Sequence, residues 1–326
     1  MKVKIYQLDT PQRLRDYLAK GFQVHQDLDD LAEPAPPLVS PKGYFFAERE
    51  NLFVFDGQCF RETLPEVAPF VLFGVTSCDL TAIAYQDQFF ECDPYYRARR
   101  DQALLVGVDC VRPCEHGFCP SVDAGPGVKP QLADLVLHAR EAGDWLLLVC
   151  SDKGREAIRD MNLEEADAAA PGEREGRIAE CAAAFADDSH LRRGIVAINA
   201  DAVPDWQWQQ LGIQCLGCSG CTTLCPTCSC YGSRDLEEGG TVTRQRFWDS
   251  CLYEGFQREA SQHNPSEEAG ERVRRFWTHK FGDSFVDSFG RYGCVGCGRC
   301  EQTCPGVIGV HSVMRRIVEY APDDQS

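Results

Sequence analysis

Two cysteine-rich runs with the same internal spacing constrain this chain more than any other feature. Residues 215–226 read CLGCSGCTTLCP, and residues 294–305 read CVGCGRCEQTCP. In each run three cysteines stand three positions apart, and a fourth follows four positions later, directly before a proline. No hydrophobic core needs thiols at that density, so the spacing indicates that both runs bind a metal centre.

The spacing is the one found in bacterial two-cluster 4Fe-4S proteins, where the fourth cysteine of each run binds the other cluster. Three thiolates surround one cubane through a tight loop, and the glycines between them let backbone N–H groups approach the sulfides. We therefore predict two 4Fe-4S clusters with crossed ligands. Cluster one takes Cys215, Cys218, Cys221 and Cys304. Cluster two takes Cys294, Cys297, Cys300 and Cys225.

The alternative for these two runs is a pair of zinc sites. Zinc ribbons use two separate CxxC pairs rather than three cysteines followed by Cys-Pro, so the spacing favours iron. Cys228 and Cys230 follow the first run closely. We expect them to pack beside a cluster rather than bind it, because eight better-placed thiolates already satisfy both cubanes.

Length, charge and the remaining cysteines limit the class of protein. The 326 residues suffice for two domains, and the net charge of -17 argues against a nucleic-acid partner. The sequence contains no apolar run long enough for a membrane span, and its first residues lack the apolar segment of a secretory signal. We therefore expect a cytoplasmic protein, in which nineteen cysteines are poor candidates for disulfides.

Residues 1–205 alternate strand and helix patterns, which is typical of an α/β domain. Continuous apolar runs predict buried strands at 71–78, 103–110, 145–150 and 194–200. Helices are predicted to begin at Thr10-Pro11 and to cover 80–89 and 131–142.

Residues 206–326 are predicted to form an α-helical, ferredoxin-like domain that holds both clusters. An apolar stripe at helical spacing predicts a helix over 247–256. A second helix is expected to open at Asn264-Pro265, because that pair suits an N-cap followed by the first helical position. A third, over roughly 307–320, would close the domain through its apolar face.

The front domain also holds four cysteines that suggest a third metal centre: Cys78, Cys110, Cys114 and Cys119. Two of them end a predicted strand, and the carboxyl edge of an open α/β sheet is where sites form. Asp79, expected to cap the helix after Cys78, or His116 would replace one thiolate in a variant of this hypothesis. Because the spacing matches no standard run, an iron-sulfur centre, a zinc site and unligated thiols all stay open.

Other residues carry weaker signals. Five further cysteines stand alone in the sequence and are expected to behave as small buried hydrophobes: Cys59, Cys92, Cys150, Cys181 and Cys251. His279 and His311 are expected to be ordinary helix-surface residues. The sequence shows no dinucleotide-binding glycine motif after a strand and no nucleophile elbow, so it indicates an electron carrier without apparatus for hydride or substrate.

Several further segments resemble one family of proteins. They include FGVTSCDLTAI at 73–83, DPYYRARR at 93–100, RQRFWDSC at 244–251 and THKF at 278–281, beside SPKGYFFAERENLFVF at 40–55 and the two cysteine runs. Together they resemble the beta subunit of cytoplasmic NAD(P)-linked nickel-iron hydrogenases, or sulfhydrogenases, which is similar to the iron-sulfur subunit of anaerobic sulfite reductase. The family usually reads Arg-Pro where this chain has Thr76-Ser77, and Cys-Phe-Cys where it has Gly117-Phe118-Cys119.

The resemblance implies a non-catalytic electron-transfer subunit of a soluble complex. One partner would be a flavin- and NAD(P)-binding subunit, and the other a nickel-iron hydrogenase or sirohaem subunit. Other hypotheses are the corresponding iron-sulfur subunit of an anaerobic sulfite reductase, a self-contained iron-sulfur enzyme and a redox sensor. The change at Gly117 removes a thiol from the third centre unless Cys114 supplies it.

Overall fold

The computed structural model describes residues 3–320, apart from residues 27 and 29. The strands are β1 (Lys4–Leu8), β2 (Gln23–Gln26), β3 (Arg49–Phe55), β4 (Phe60–Glu62), β5 (Phe70–Thr76), β6 (Ala103–Val108), β7 (Leu135–Ala139), β8 (Trp145–Val149), β9 (Tyr231–Glu238) and β10 (Thr241–Trp248). The helices are α1 (Pro11–Leu18), α2 (Ser77–Phe89), α3 (Pro94–Arg100), α4 (Asp152–Ala157), α5 (Ala170–Ala183), α6 (Ser189–Asn199), α7 (Asp205–Gln214), α8 (Gly220–Thr223), α9 (Ala269–Phe281), α10 (Asp283–Phe289), α11 (Arg299–Thr303) and α12 (Val310–Tyr320).

The chain divides into two compact units. The first comprises Met1–Phe45, Pro65–Ala186 and Val295–Cys297, and the second Phe46–Leu64, Asp187–Cys294 and Gly298–Ser326. These ranges differ from the division expected at residue 205. The hairpin of β3 and β4 falls in the second unit because β3 pairs with β10 there.

The first unit is built on a six-stranded mixed sheet in the order β1-β8-β7-β6-β5-β2. Strands β2, β5, β6 and β7 run parallel, and β8 and β1 add antiparallel pairs. All residues of β5 and β6 are buried, as their continuous apolar sequences predict. The α/β prediction for this part of the chain is therefore confirmed, including the strands near 71–78, 103–110 and 145–150 and the helix at Pro11.

Two predictions of element type in the front of the chain were wrong. The helix expected over 131–142 is strand β7, whose five residues are all buried between β6 and β8. A short apolar run of this length suits a central strand better than a helix. The strand expected over 194–200 lies in helix α6, where Leu191, Gly194, Ala197 and Ile198 form the buried face at helical spacing.

The second unit contains a four-stranded antiparallel sheet in the order β4-β3-β10-β9. The predicted helix over 247–256 was wrong, because Phe247 and Trp248 end strand β10. Strands β9 and β10 are joined by Gly239 and Gly240, whose φ angles of 58° and 80° form the turn that a two-residue hairpin requires. The domain predicted to be α-helical therefore also contains a sheet.

Four longer helices of the second unit pack together, namely α6, α7, α9 and α12. Gly212 and Gly270 let α7 and α9 cross closely, since a Cβ on Gly212 would overlap the backbone of Gly270. Helix α9 begins at Ala269, not at Asn264, whose side chain instead accepts the Ser266 N–H in a turn. Helix α12 is confirmed with its buried face.

Within the described residues, no helix has the length and apolar character needed to cross a membrane.

Candidate metal centres

The two cysteine runs adopt the same backbone conformation. Gly217 and Gly296, the third residues of their runs, have φ angles of 62° and 65°. Ser219 and Gly298, the fifth residues, have φ angles of 59° and 75°. A short helix follows at the next position in both runs, and these two helices, α8 and α11, pack against each other. The runs are thus structural repeats, as two loops that bind the same kind of object would be.

The four thiols predicted for cluster one line a single cavity in the second unit. Cys215, Cys218, Cys221 and Cys304 share its wall with apolar residues from α9, among them Val273, Phe276 and Trp277. No Asp, Glu or His of the described chain is among the residues that line it. A set of four thiols in a mainly apolar pocket is the donor set that 4Fe-4S clusters use. The residues present therefore fit this cofactor.

Electrostatics and hydrogen bonding around this cavity agree with a cluster site. Burial and then the neighbouring thiols, first Cys215 and Cys304, raise the pKa of Cys221 to about 12. Iron coordination deprotonates such thiols outright, so binding would release protons. The Ile308 backbone N–H also donates to Cys304 Sγ at 3.4 Å. Hydrogen bonds to ligand sulfurs are one of the factors that set a cluster's potential.

Cys225, the fourth cysteine of the first run, is tied to the start of the second run. Its Sγ lies 3.2 Å from Thr227 Oγ1, which donates to the Gly293 carbonyl at 2.7 Å. Lys280, a buried residue of α9, donates from Nζ to the same hydroxyl at 2.8 Å. Sequence reasoning missed this lysine, although it lies in the THKF segment that carries the family resemblance. The Thr227 bridge therefore ties Cys225 to Gly293, the residue directly before Cys294.

Part of the second run packs inside the first unit. Val295–Cys297 belong to that unit, and the Phe118 N–H donates to the Gly296 carbonyl at 2.8 Å. A Cβ on Gly296 would lie 2.6 Å from the Cys119 backbone nitrogen. This close approach, together with its positive φ, requires glycine at the position.

Three of the cysteines predicted for a third centre, Cys110, Cys114 and Cys119, influence one another's pKa, and Cys181, which the sequence did not indicate, acts with them. Burial raises the pKa of Cys110 well above its usual range, and the thiols of Cys119, Cys114 and Cys181 raise it further. The pKa of Cys181 rises to about 11 through burial and then Cys114. Cys78 is buried, and its Sγ lies 3.3 Å from Thr76 Oγ1.

A buried charged network stands directly before Cys110. Asp109 accepts bonds from Arg174 Nε at 2.7 Å and from the Val128 N–H at 2.7 Å, and its Oδ2 lies 3.0 Å from His138 Nδ1. Burial works to raise the pKa of Asp109, but the His138 bond and the Arg174 guanidinium outweigh it and lower the pKa. This network fixes the end of β6 from which Cys110 extends.

The other candidate residues take less prominent places. Asp79 does not cap α2, which begins at Ser77, but lies buried in its first turn. Burial and then Lys280 lower the pKa of His279 to about 4, so this side chain is neutral at physiological pH. The hydrogen bond that the Cys251 thiol makes with Cys230, and then burial, raise the pKa of Cys251. The structure thus pairs two thiols that looked unrelated in the sequence.

Among the described residues, no three His, Cys, Asp or Glu side chains lie close enough to hold a single metal ion. A tetrahedral zinc site needs sulfurs about 3.8 Å apart, given a Zn–S bond of about 2.3 Å. A 4Fe-4S cubane instead binds one thiolate at each of its four iron atoms, so its ligand sulfurs do not have to lie as close together as those of a zinc site.

Comparison with known proteins identifies the family. Residues 214–308 match the model of a 4Fe-4S dicluster domain. The chain is also 31% identical to sulfhydrogenase 2 subunit beta of Pyrococcus furiosus over 309 residues, which span 91% of this chain and 89% of the relative. The chain belongs to the sulfhydrogenase beta-subunit family. No solved structure matches it.

As a sulfhydrogenase beta-subunit homologue, the chain carries two 4Fe-4S clusters in its dicluster domain and is an iron-sulfur electron-transfer subunit. The family-model match covers both cysteine runs. The resemblance of the shorter segments, such as RQRFWDSC, is thereby confirmed at the level of the whole chain.

Proposed function

We propose that this chain relays electrons between a flavin- and NAD(P)-binding subunit and a hydrogenase-type catalytic subunit. One observation carries the proposal, namely two repeated cluster loops in a chain that resembles a sulfhydrogenase beta subunit along nearly its whole length. A subunit named beta belongs to an assembly with other subunits. We expect that assembly to work in the cytoplasm and this chain to have no catalytic site of its own.

The ligands of cluster one are proposed to be Cys215, Cys218, Cys221 and Cys304. The common cavity supports this set, because Cys304 of the second run faces the same space as the three cysteines of the first. A bound 4Fe-4S cluster would accept and release one electron at a time. The chain's own contribution is to exclude water with the apolar wall of α9 and to donate the Ile308 N–H to the Cys304 sulfur.

The ligands of cluster two are proposed to be Cys294, Cys297, Cys300 and Cys225. The Thr227 bridge supports the crossed fourth ligand, because it holds Cys225 against Gly293. Lys280 adds a buried positive charge at the same hydroxyl. That charge offsets part of the negative charge that four thiolates bring to a cluster.

Cluster one is the better candidate for exchange with a partner. Cys218 is exposed, and three large apolar side chains stand exposed in the segments that carry its ligands: Ile213, Leu216 and Val307. Val307 is 59% exposed and has a φ of 52°, an uncommon conformation for a β-branched residue. Exposed apolar residues in one region mark interaction surfaces, so we propose that a redox partner docks there.

The test is to purify the tagged full chain anaerobically with the proteins that accompany it. We expect one partner that contains flavin and one that contains nickel, and reduction of both clusters when either NAD(P)H or hydrogen is supplied. A nickel-free assembly that reduces sulfite would overturn the hydrogenase assignment in favour of a sulfite reductase. A single chain that turns over a substrate without partners would overturn the relay itself.

A further inference from the structure

A buried cysteine of the first unit, Cys181, faces a loop that carries three more. Ile178, one helical turn earlier on α5, packs on Gly127, where an added Cβ would lie 2.5 Å from Ile178 Cδ1. Phe185, one turn later, packs on Gly117, where an added Cβ would lie 3.2 Å from Phe185 Cε1. Residues three and four positions apart share a helix face. Cys181, which is 3% exposed, therefore points between these two contacts.

The loop cysteines border the same two contacts. A Cβ on Gly117 would overlap Cys114 Sγ, and one on Gly125 would lie 2.9 Å from Cys119 Sγ. The Cys110 N–H donates to the Pro126 carbonyl at 3.2 Å, which fixes the third cysteine to the same turn. Four thiols from a strand end, a loop and a helix thus converge in one region, where Cys119 and Cys181 are buried and Cys110 and Cys114 are partly buried.

We propose that Cys110, Cys114, Cys119 and Cys181 hold a third 4Fe-4S cluster, with Cys181 in the place expected for Cys78. Four thiolates complete the ligand set of such a cluster. The thiols also act on one another electrostatically, since Cys114 and Cys181 are, after burial, the groups that most raise the pKa of Cys119. Among the described residues, no three of these groups lie close enough to hold one metal ion. A 4Fe-4S cluster does not require that closeness, because each thiolate binds a different iron atom.

This third cluster would extend the proposed electron relay. Its part in electron transfer rests on the proposed function, whereas its presence in the chain does not. The backbone of Gly296 touches Cys119, and Cys297, proposed as a ligand of cluster two, is among the groups that raise the pKa of Cys119. An electron released by one cluster would be gained by the other in a reversible one-electron exchange. No other reactant is required.

The experiment is a count of iron and acid-labile sulfide in the anaerobically purified full chain, with EPR spin quantitation after reduction. We expect about twelve iron atoms per chain, for three cubanes. Cys181→Ala should lower iron and the reduced-state spin count by about one third, whereas Cys78→Ala and the matched control Cys150→Ala should leave both unchanged.

About eight iron atoms in the unchanged chain would overturn the third cluster, whatever the variants do. Loss of iron in Cys78→Ala but not in Cys181→Ala would overturn the ligand assignment. If Cys181→Ala does not fold, Cys114→Ala on the loop supplies the same comparison. Electron transfer to the partners that persists in a chain with about eight irons would show that the relay stands without this cluster.

Discussion

Replacing Lys280 with an uncharged residue should lower the reduction potential of cluster two. Its side chain is 5% exposed, and its Nζ donates to Thr227 Oγ1 at 2.8 Å. That oxygen lies 3.2 Å from Cys225 Sγ. The lysine nitrogen is therefore no more than about 6 Å from the sulfur of Cys225, a proposed ligand. We take about 8 Å as the distance from this nitrogen to the electron that reduction adds to the cluster beyond that sulfur.

The size of the effect follows from Coulomb's law. At about 8 Å and an effective dielectric constant of about 20, a unit positive charge stabilises an added electron by about 2 kcal/mol. For a one-electron couple this corresponds to roughly 90 mV. Lys280→Met keeps an apolar side chain of similar length but removes the charge, so the potential of cluster two should fall by this amount.

The assay is a redox titration of the full chain followed by low-temperature EPR, with iron content measured on the same samples. Lys280→Arg is the matched control, because it keeps the charge and should leave the potential near its original value. A Lys280→Met chain with full iron content and an unchanged potential would refute the reasoning. An equal fall in both variants would refute it too, since it would assign the effect to packing.

Three further outcomes are expected. Cys304→Ala should remove the EPR signal of cluster one and Cys225→Ala that of cluster two; loss of the cluster of the variant's own run would disprove crossed ligation. Leu216→Asp should slow electron exchange with the partner at least about tenfold in stopped-flow measurements, with iron content and potentials unchanged; an unaltered rate would remove the docking surface. Asp109→Asn should lower the free energy of unfolding by about 3–5 kcal/mol in denaturant titrations, because it breaks a buried ionic network. The exposed control Asp123→Asn should leave the unfolding midpoint nearly unchanged, and equal losses in both would contradict that account.

The two cluster loops could be predicted from sequence because their geometry is local. Three thiolates separated by two residues each, with glycine at three of the four positions where φ is positive, are fixed within about ten residues of chain. The same locality made the buried strands β5 and β6 predictable, since both their faces are apolar.

Predictions failed where a short apolar segment fits two periodicities. Residues 194–200 satisfy a strand pattern, yet the helical spacing that includes Leu191 determines the fold. The stripe that begins at Phe247 looked helical because the Gly239-Gly240 turn before it was not used to place a hairpin. Cys181 lies about sixty residues beyond the loop cysteines, and no spacing rule links a helix residue to a distant loop.

The proposed crossed ligation explains why the runs are separated by so much structure. Sixty-eight residues lie between Cys225 and Cys294, and closing a loop of that length costs roughly 4 kcal/mol in chain entropy. Helix α8 lies within the first run, just before Cys225, and packs on α11 of the second run, so the proposed crossed ligand reaches its cluster only after the two runs have met. Iron-thiolate bonds would then stabilise the folded second unit, and loss of either cluster should loosen the helices that bring the runs together.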